Sequence, residues 1–303
     1  MAEARKWYEA AAAQGDARAQ YQLGAIYAQG LGVARSDPEA AKWFYQAAQQ
    51  GDAMAQYRLG MMYSNGQGLS ADAAEADKWL QAAAGQGDAM AQLRLRMNIA
   101  QASNLKLTQQ EMADFYLKAA EQGYSEAQQA IGSMYKRGVG VEQNAAEALK
   151  WYSQAADQGD PKALHWMAVS YVNGDGVPRD PAQAIDFYAK AADAGYSLSQ
   201  YNLGMMYLSG QGIDANAEQA LKWFQQAANQ NLTSAQTQLG ALYESGVGTA
   251  QDLVEAYRWY SQAAAHGDPQ ATRALKALAP RLTADQIQEA AQRAKTPARV
   301  GAQ

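Results

Sequence analysis

The sequence predicts an all-α solenoid of 36-residue helix–turn–helix units, and three recurrences carry that prediction. Trp7, Trp43, Trp79, Trp151, Trp223 and Trp259 share one 36-residue phase, with Phe115 and Phe187 filling the two remaining places. A Gly-x-Gly pair keeps the same period at Gly30/Gly32, Gly66/Gly68, Gly138/Gly140, Gly174/Gly176, Gly210/Gly212 and Gly246/Gly248. A tyrosine does so too, as Tyr27, Tyr63, Tyr135, Tyr171, Tyr207 and Tyr243. Chance does not hold three residue types in phase over seven periods.

Taken in order, residues 1–15 match a second helix without its first-helix partner. An array that starts in mid-unit implies that upstream residues were removed and that Met1 is a cloning start. The unit 16–51 shows the plan of those that follow. Asp16 offers a side-chain oxygen to cap the run Ala17 to Gln29, in which Ala19, Leu23, Ile26 and Tyr27 recur at helical spacing. Gly24 sits mid-helix, as do Gly60, Gly132, Gly204 and Gly240, where glycine costs ~1 kcal/mol against alanine. A cost repeated five times implies close approach of a neighbouring helix. Gly30-Leu31-Gly32 turns the chain, and Asp37-Pro38 reads as an N-cap followed by proline at the first helical position. The second helix runs to about Gln49, burying Ala40, Trp43, Phe44, Ala47 and Ala48. Gly51 ends it in the left-handed conformation, as Gly15, Gly87, Gly123, Gly159, Gly195 and Gly267 do elsewhere, with Asn231 in the remaining slot. Full units therefore span 16–51, 52–87, 88–123, 124–159, 160–195, 196–231 and 232–267, and a half unit brings the repeats to residue 279. Thr283-x-x-Gln286 is a capping box that opens a helix covering the end of the array within 280–295, and 296–303 reads as a disordered tail.

Composition narrows the function. Hydrophobic residues make up 48% of the chain, yet only four are Phe, which suits close-packed Ala-rich helices better than a large aromatic core. Net charge is −5 with both signs mixed, so the basic stripe that nucleic acid requires is missing. The uninterrupted apolar run of a membrane helix is absent, and so is a signal peptide before residue 10. Without cysteine there is neither a disulfide nor a thiolate metal site. His165 and His266 do not stand at metal-ligand spacing, and the Gly-x-Gly turns lack the third glycine or the lysine of a phosphate loop. Asp16, Asp52, Asp88 and Asp160 recur as caps, whereas catalytic carboxylates would be one-off features. No enzyme, metal or cofactor is therefore expected.

The run Trp43-x₃-Ala47-Ala48-x₂-Gly51-Asp52-x₂-Ala55-Gln56-x₂-Leu59-Gly60-x₂-Tyr63-x₂-Gly66-x-Gly68 resembles the Sel1-like repeat, a relative of the tetratricopeptide repeat, and the likeness extends to about residue 279. The resemblance implies a right-handed superhelix of helix pairs whose concave face is lined by the first helices. It implies an adaptor in bacterial signalling, secretion or envelope regulation, or an inhibitor of the immunity-protein type. It leaves the compartment open: periplasmic or secreted if a signal sequence was removed, otherwise cytoplasmic. Branches of the family that carry a disulfide in each repeat differ from this cysteine-free chain.

With tetratricopeptide-like packing, the concave positions include Tyr21, Met54, Tyr57, Met61, Met90, Leu93, Met97, His165, Leu198, Tyr201 and Met205. Methionine adapts to a partner helix and tyrosine anchors interfaces, so these residues are expected to bind another protein, though tight curvature would bury them against one another instead. Trp166 joins them because its phase elsewhere holds Gln22, Arg58, Arg94, Ala130, Asn202 and Gln238; it is either a hot spot at the groove rim or a cover for a neighbouring loop. The unit 88–123 departs most, with Arg96 for the packing glycine, Ile99 for the tyrosine and Ala102-Ser103-Asn104 for the turn. A changed helix angle or a longer first helix is expected there. The alternatives to a protein-binding groove are a solenoid that self-associates through its unpaired N-terminal helix and a peptidoglycan or carbohydrate binder, which would need exposed aromatics.

Overall fold

The computed structural model describes residues 2–103 and 106–295, so the expected 296–303 tail and Asn104 lie outside the described residues. Among the described residues the chain is helical throughout, with no strand. It divides into two compact units, Met1–Asn144 and Ala145–Gln303. In the first, α1 (Ala2–Ala13) precedes the pairs α2/α3 (Ala17–Gln29, Asp37–Gln49), α4/α5 (Ala53–Asn65, Ala73–Gly85) and α6/α7 (Ala89–Ala102, Gln109–Glu121), and α8 (Ser125–Arg137) closes it. In the second, α9 (Ala145–Asp157) precedes α10/α11 (Pro161–Asn173, Pro181–Asp193), α12/α13 (Ser197–Ser209, Ala217–Asn229) and α14/α15 (Thr233–Ser245, Leu253–Ala265). There α16 (Pro269–Leu278), a 3₁₀ turn (Ala279–Arg281) and α17 (Ala284–Lys295) complete the chain. Within each unit every helix up to α16 packs on the next, and α17 lies on α15.

Caps set the helix boundaries. The carboxylates of Asp16, Asp52, Asp88 and Asp160 accept the amides of Ala19, Ala55, Ala91 and Ala163 at 2.7–2.8 Å. One expectation is corrected: α3 is capped by Ser36, whose hydroxyl accepts the Glu39 amide, while Asp37 is already helical and pairs with Arg35. Ser36 stands 36 residues before Asp72, the cap of α5, so the period itself marks the right residue. Asn231, at φ 62°, is the only non-glycine with positive φ among the described residues, matching its place in the glycine series.

The mid-helix glycines have the expected packing reason, but the residue that imposes it is not the tryptophan. A Cβ on Gly24 would lie 2.6 Å from the Phe44 ring, on Gly60 2.9 Å from Leu80, and on Gly204 2.8 Å from Phe224. In α3, α5 and α13 the buried side chain is therefore the one after the tryptophan, with Phe44, Leu80 and Phe224 at most 3% exposed, whereas in α9 and α15 Trp151 and Trp259 are buried as well. Trp43, Trp79 and Trp223 are only half-buried, and Trp7 is 73% exposed. The expected burial of Trp43 with the α3 core is corrected accordingly.

A second recurring device is a buried glutamine. Gln20, Gln56, Gln92, Gln128, Gln200 and Gln236 each donate Nε2 to a carbonyl eight residues back, on Ala12, Ala48, Ala84, Ala120, Ala192 and Ala228. Those carbonyls belong to the last turn of the preceding helix, where the helix itself supplies no donor. Three of the glutamines also accept from a glutamine at the end of the following second helix: Gln50 to Gln20, Gln86 to Gln56 and Gln230 to Gln200, at 2.7–2.8 Å.

The unit 88–123 departs as its sequence suggests. Its first helix, α6, has 14 residues against 13 in α2, α4, α8, α10, α12 and α14. It ends at Ser103 without a left-handed glycine, and α6 and α7 pack less extensively than the neighbouring pairs. With Arg96 in the glycine position, Tyr116, which stands where Phe44 and Leu80 do, stays half-buried.

Candidate functional site

The expected binding residues fall into two groups. Tyr57, Met90, Leu93 and His165 are buried, at 3–8% exposure, and so cannot line an open groove as expected. Tyr21, Met54, Met61, Trp166, Tyr201 and Met205 are half-buried, while Met97 and Leu198 are 39% and 41% exposed.

The first correction has its cause in how closely α4, α6 and α8 converge. The Tyr57 hydroxyl donates to Glu126 Oε1 at 2.9 Å, and Arg58 Nη1 donates to Glu126 Oε2 at 2.9 Å, although Glu126 lies two repeats further on. Tyr57 meets the ring of Tyr124 edge-on at 5.3 Å, and the Arg58 guanidinium lies 5.7 Å and 5.9 Å from these two rings. Tyr124 in turn donates to the buried carboxylate of Asp88. Burial first, and then the adjacent carboxylates, raise the Tyr57 and Tyr124 hydroxyls well above the ordinary 10.0, so both act as neutral donors. Burial opposes the charge on Arg58, but Glu126 together with the Tyr21 and Tyr57 hydroxyls more than offsets it and keeps the guanidinium protonated. Next to this network Arg94 donates Nε to the sulfur of Met61 at 3.2 Å.

His165 is buried for a different reason. Its Nδ1 lies 2.9 Å from the hydroxyl of Ser199, and the rings of Trp166, Tyr188 and Tyr196 surround it at 5.1–5.5 Å. Ser199 is fully buried, so a Ser–His pair that would suggest nucleophilic chemistry is closed to substrate. The signal was available in the sequence: Ser199 is the serine in a 36-residue series otherwise made of Ala19, Ala55, Ala91, Ala127, Ala163 and Ala235. Trp166 stacks on Tyr152, with ring centroids 6.3 Å apart and planes 16° from parallel. On α12, Tyr201 tilts against Phe224 at 5.6 Å, leaving Leu198 one turn earlier facing solvent.

Among the described residues no group of His, Cys, Asp or Glu could hold a metal ion, and no helix is long and apolar enough to cross a membrane.

This geometry defines an α-solenoid of stacked helix pairs with a polar network where first helices converge. The Sel1 repeat family model matches residues 1–16, 17–52, 53–88, 113–124, 125–160, 161–196, 197–232 and 233–268, and the chain belongs to that family. The matched units begin one residue later than the sequence period suggests, and 89–112, which contains α6, is the stretch left unmatched between them. A protective antigen present in uropathogenic Escherichia coli is 34% identical with a TM-score of 0.68, covering 96% of this chain and 62% of that one. A Sel1 repeat protein from Oxalobacter formigenes is 36% identical with a TM-score of 0.61, covering 91% of this chain and 80% of that one. The chain thus spans less than two thirds of the first relative's length. An immunity protein from Pseudomonas aeruginosa, at 18% identity and a TM-score of 0.39, is too distant to bear on function. No curated protein matches the chain.

Proposed function

We propose that the chain is a non-enzymatic protein-binding scaffold, an adaptor or inhibitor, that holds a partner protein against its first helices. The observation that carries this reading is the exposure of large apolar side chains where the repeat does not need them. Met97 on α6 and Leu198 on α12 are 39% and 41% exposed. Half-buried Met61 and Met205 lie on first helices as well, and methionine adapts its shape at modest cost. The test is capture from the source organism's lysate with wild type beside Met97→Ala and Leu198→Ala, followed by affinity measurement on the recovered partner. Weakened binding with unchanged helicity supports the reading. A partner bound equally by all three proteins moves the site to the second helices or the turns.

A second reading rests on Trp7, which is 73% exposed on α1, whereas Trp43 at the same phase packs against the cluster of Ala12, Ala19, Leu23 and Ile26. That face could be covered by a second copy. Light scattering across a concentration series decides it: a mass that rises with concentration, and falls back in Trp7→Ala, favours self-association.

A further inference from the structure

We propose that Arg94 is the anion-recognition point of the first unit and takes a carboxylate side chain from an acidic segment of the partner; this rests on the protein-binding reading above. Other cations near it are already engaged. Arg58 is paired with Glu126 at 2.9 Å, and the neighbouring acid Asp88 is taken by the Tyr124 hydroxyl and the Ala91 amide. Arg94 is half-buried, yet no described carboxylate pairs with it, and its one hydrogen bond goes to the Met61 sulfur, a weak acceptor. A guanidinium presents five donors in a planar fork suited to a carboxylate, so most of its capacity is unused.

The fold does not require a cation at this place. The same phase holds Arg58, which is spent on Glu126, and otherwise Gln22, Ala130, Trp166, Asn202 and Gln238. The unit that carries Arg94 is also the one that diverges, with its longer α6 unmatched by the family pattern. Arg94 lies against the Met61 sulfur, an adaptable apolar neighbour. Met97, one turn further along α6, is exposed. A half-buried cation bordered by adaptable apolar groups matches an acidic side chain with apolar neighbours, such as one face of an amphipathic helix.

The experiment is selection of a random peptide library, displayed on phage, against wild type, Arg94→Gln, Arg94→Lys and Arg96→Gln. Wild type should enrich peptides with Asp or Glu flanked by apolar residues. Arg94→Gln should lose the acidic preference, Arg94→Lys should keep part of it, and Arg96→Gln, an exposed control on the same helix, should keep it whole. For a selected peptide, its Glu→Gln version and the Arg94→Gln protein should each bind about tenfold more weakly, with little further loss when combined. Acidic enrichment that survives Arg94→Gln unchanged, or binders without acidic preference, would overturn the assignment of Arg94 alone. No enrichment on any of the four proteins would overturn the protein-binding reading itself.

Discussion

Replacing Gly204 by alanine sets two opposing effects against each other. In an unencumbered helix the change removes backbone freedom from the unfolded chain and stabilises by ~1 kcal/mol. At Gly204 the new methyl would meet Phe224 Cε1 at 2.8 Å and Cδ1 at 2.9 Å, and that ring is wholly buried with no free space to rotate into. Forcing extra volume into a filled core costs about 1–3 kcal/mol, and a rigid, enclosed ring places this site in the upper part of that range. The steric effect wins, and the net expectation is a loss of about 1–2 kcal/mol. Gly85→Ala is the control, since that glycine also lies within a helix but has nothing within 4 Å. Urea unfolding followed by circular dichroism should move the midpoint down for Gly204→Ala and leave it level or raised for Gly85→Ala. Equal shifts in the two glycine variants would refute the argument that helix approach selects these glycines.

Further outcomes follow from other sites. Asn231→Gly should stabilise by a few tenths of a kcal/mol and Asn231→Ala destabilise by ~1 kcal/mol, because φ is 62° there; thermal unfolding of the pair checks the sign. Ser199→Ala restores the alanine found in other repeats yet should lower stability by ~1 kcal/mol, since it removes the hydroxyl 2.9 Å from His165 Nδ1; a neutral result would deny that bond any weight. The Glu111 carboxyl should titrate below its ordinary 4.5, because it accepts from the backbone and hydroxyl of Thr108, and Thr108→Ala should return it upward in an NMR titration. The sign is that of a depressed acid: the cap supports α7 above the ordinary value and weakens as pH falls through the lowered one. Amides in the last turn of α6 should exchange faster than their counterparts in α4, which ends in a left-handed glycine and packs closely on α5.

Much of this fold is legible from spacing alone, because each unit repeats the same solution and errors average out. Helix ends are marked by residues that tolerate the left-handed conformation, such as Gly51 and Asn231, and the structure shows both at positive φ. Spacing fails where two adjacent residues share a helical face. Trp43 and Phe44 recur together, and only the location of Gly24 opposite Phe44 tells which one enters the core. Curvature is likewise hidden. A period fixes what each helix touches next to it in sequence but not whether first helices two repeats apart will meet, as Tyr57 and Glu126 do. The expected site therefore mixed supporting residues with presented ones. Ser199 is legible as the one serine in a series of alanines, Ala19, Ala55, Ala91, Ala127, Ala163 and Ala235.

The glutamine bonds have a consequence for how such chains align and lengthen. Helices faced with alanine offer smooth surfaces that can slide by a turn at little energetic cost. An amide linked on one side to the preceding unit's backbone carbonyl and on the other to a glutamine of its own second helix acts as an alignment pin: any slip breaks both bonds and strands the buried Gln56 amide. The bond between units has a direction, from the Gln56 amide to the Ala48 carbonyl and from the Gln92 amide to the Ala84 carbonyl, so the unit between them presents a plug at one end and a socket at the other. A duplicated unit would arrive already fitted to both neighbours. An array of this kind can grow by whole cassettes without inventing new interface chemistry.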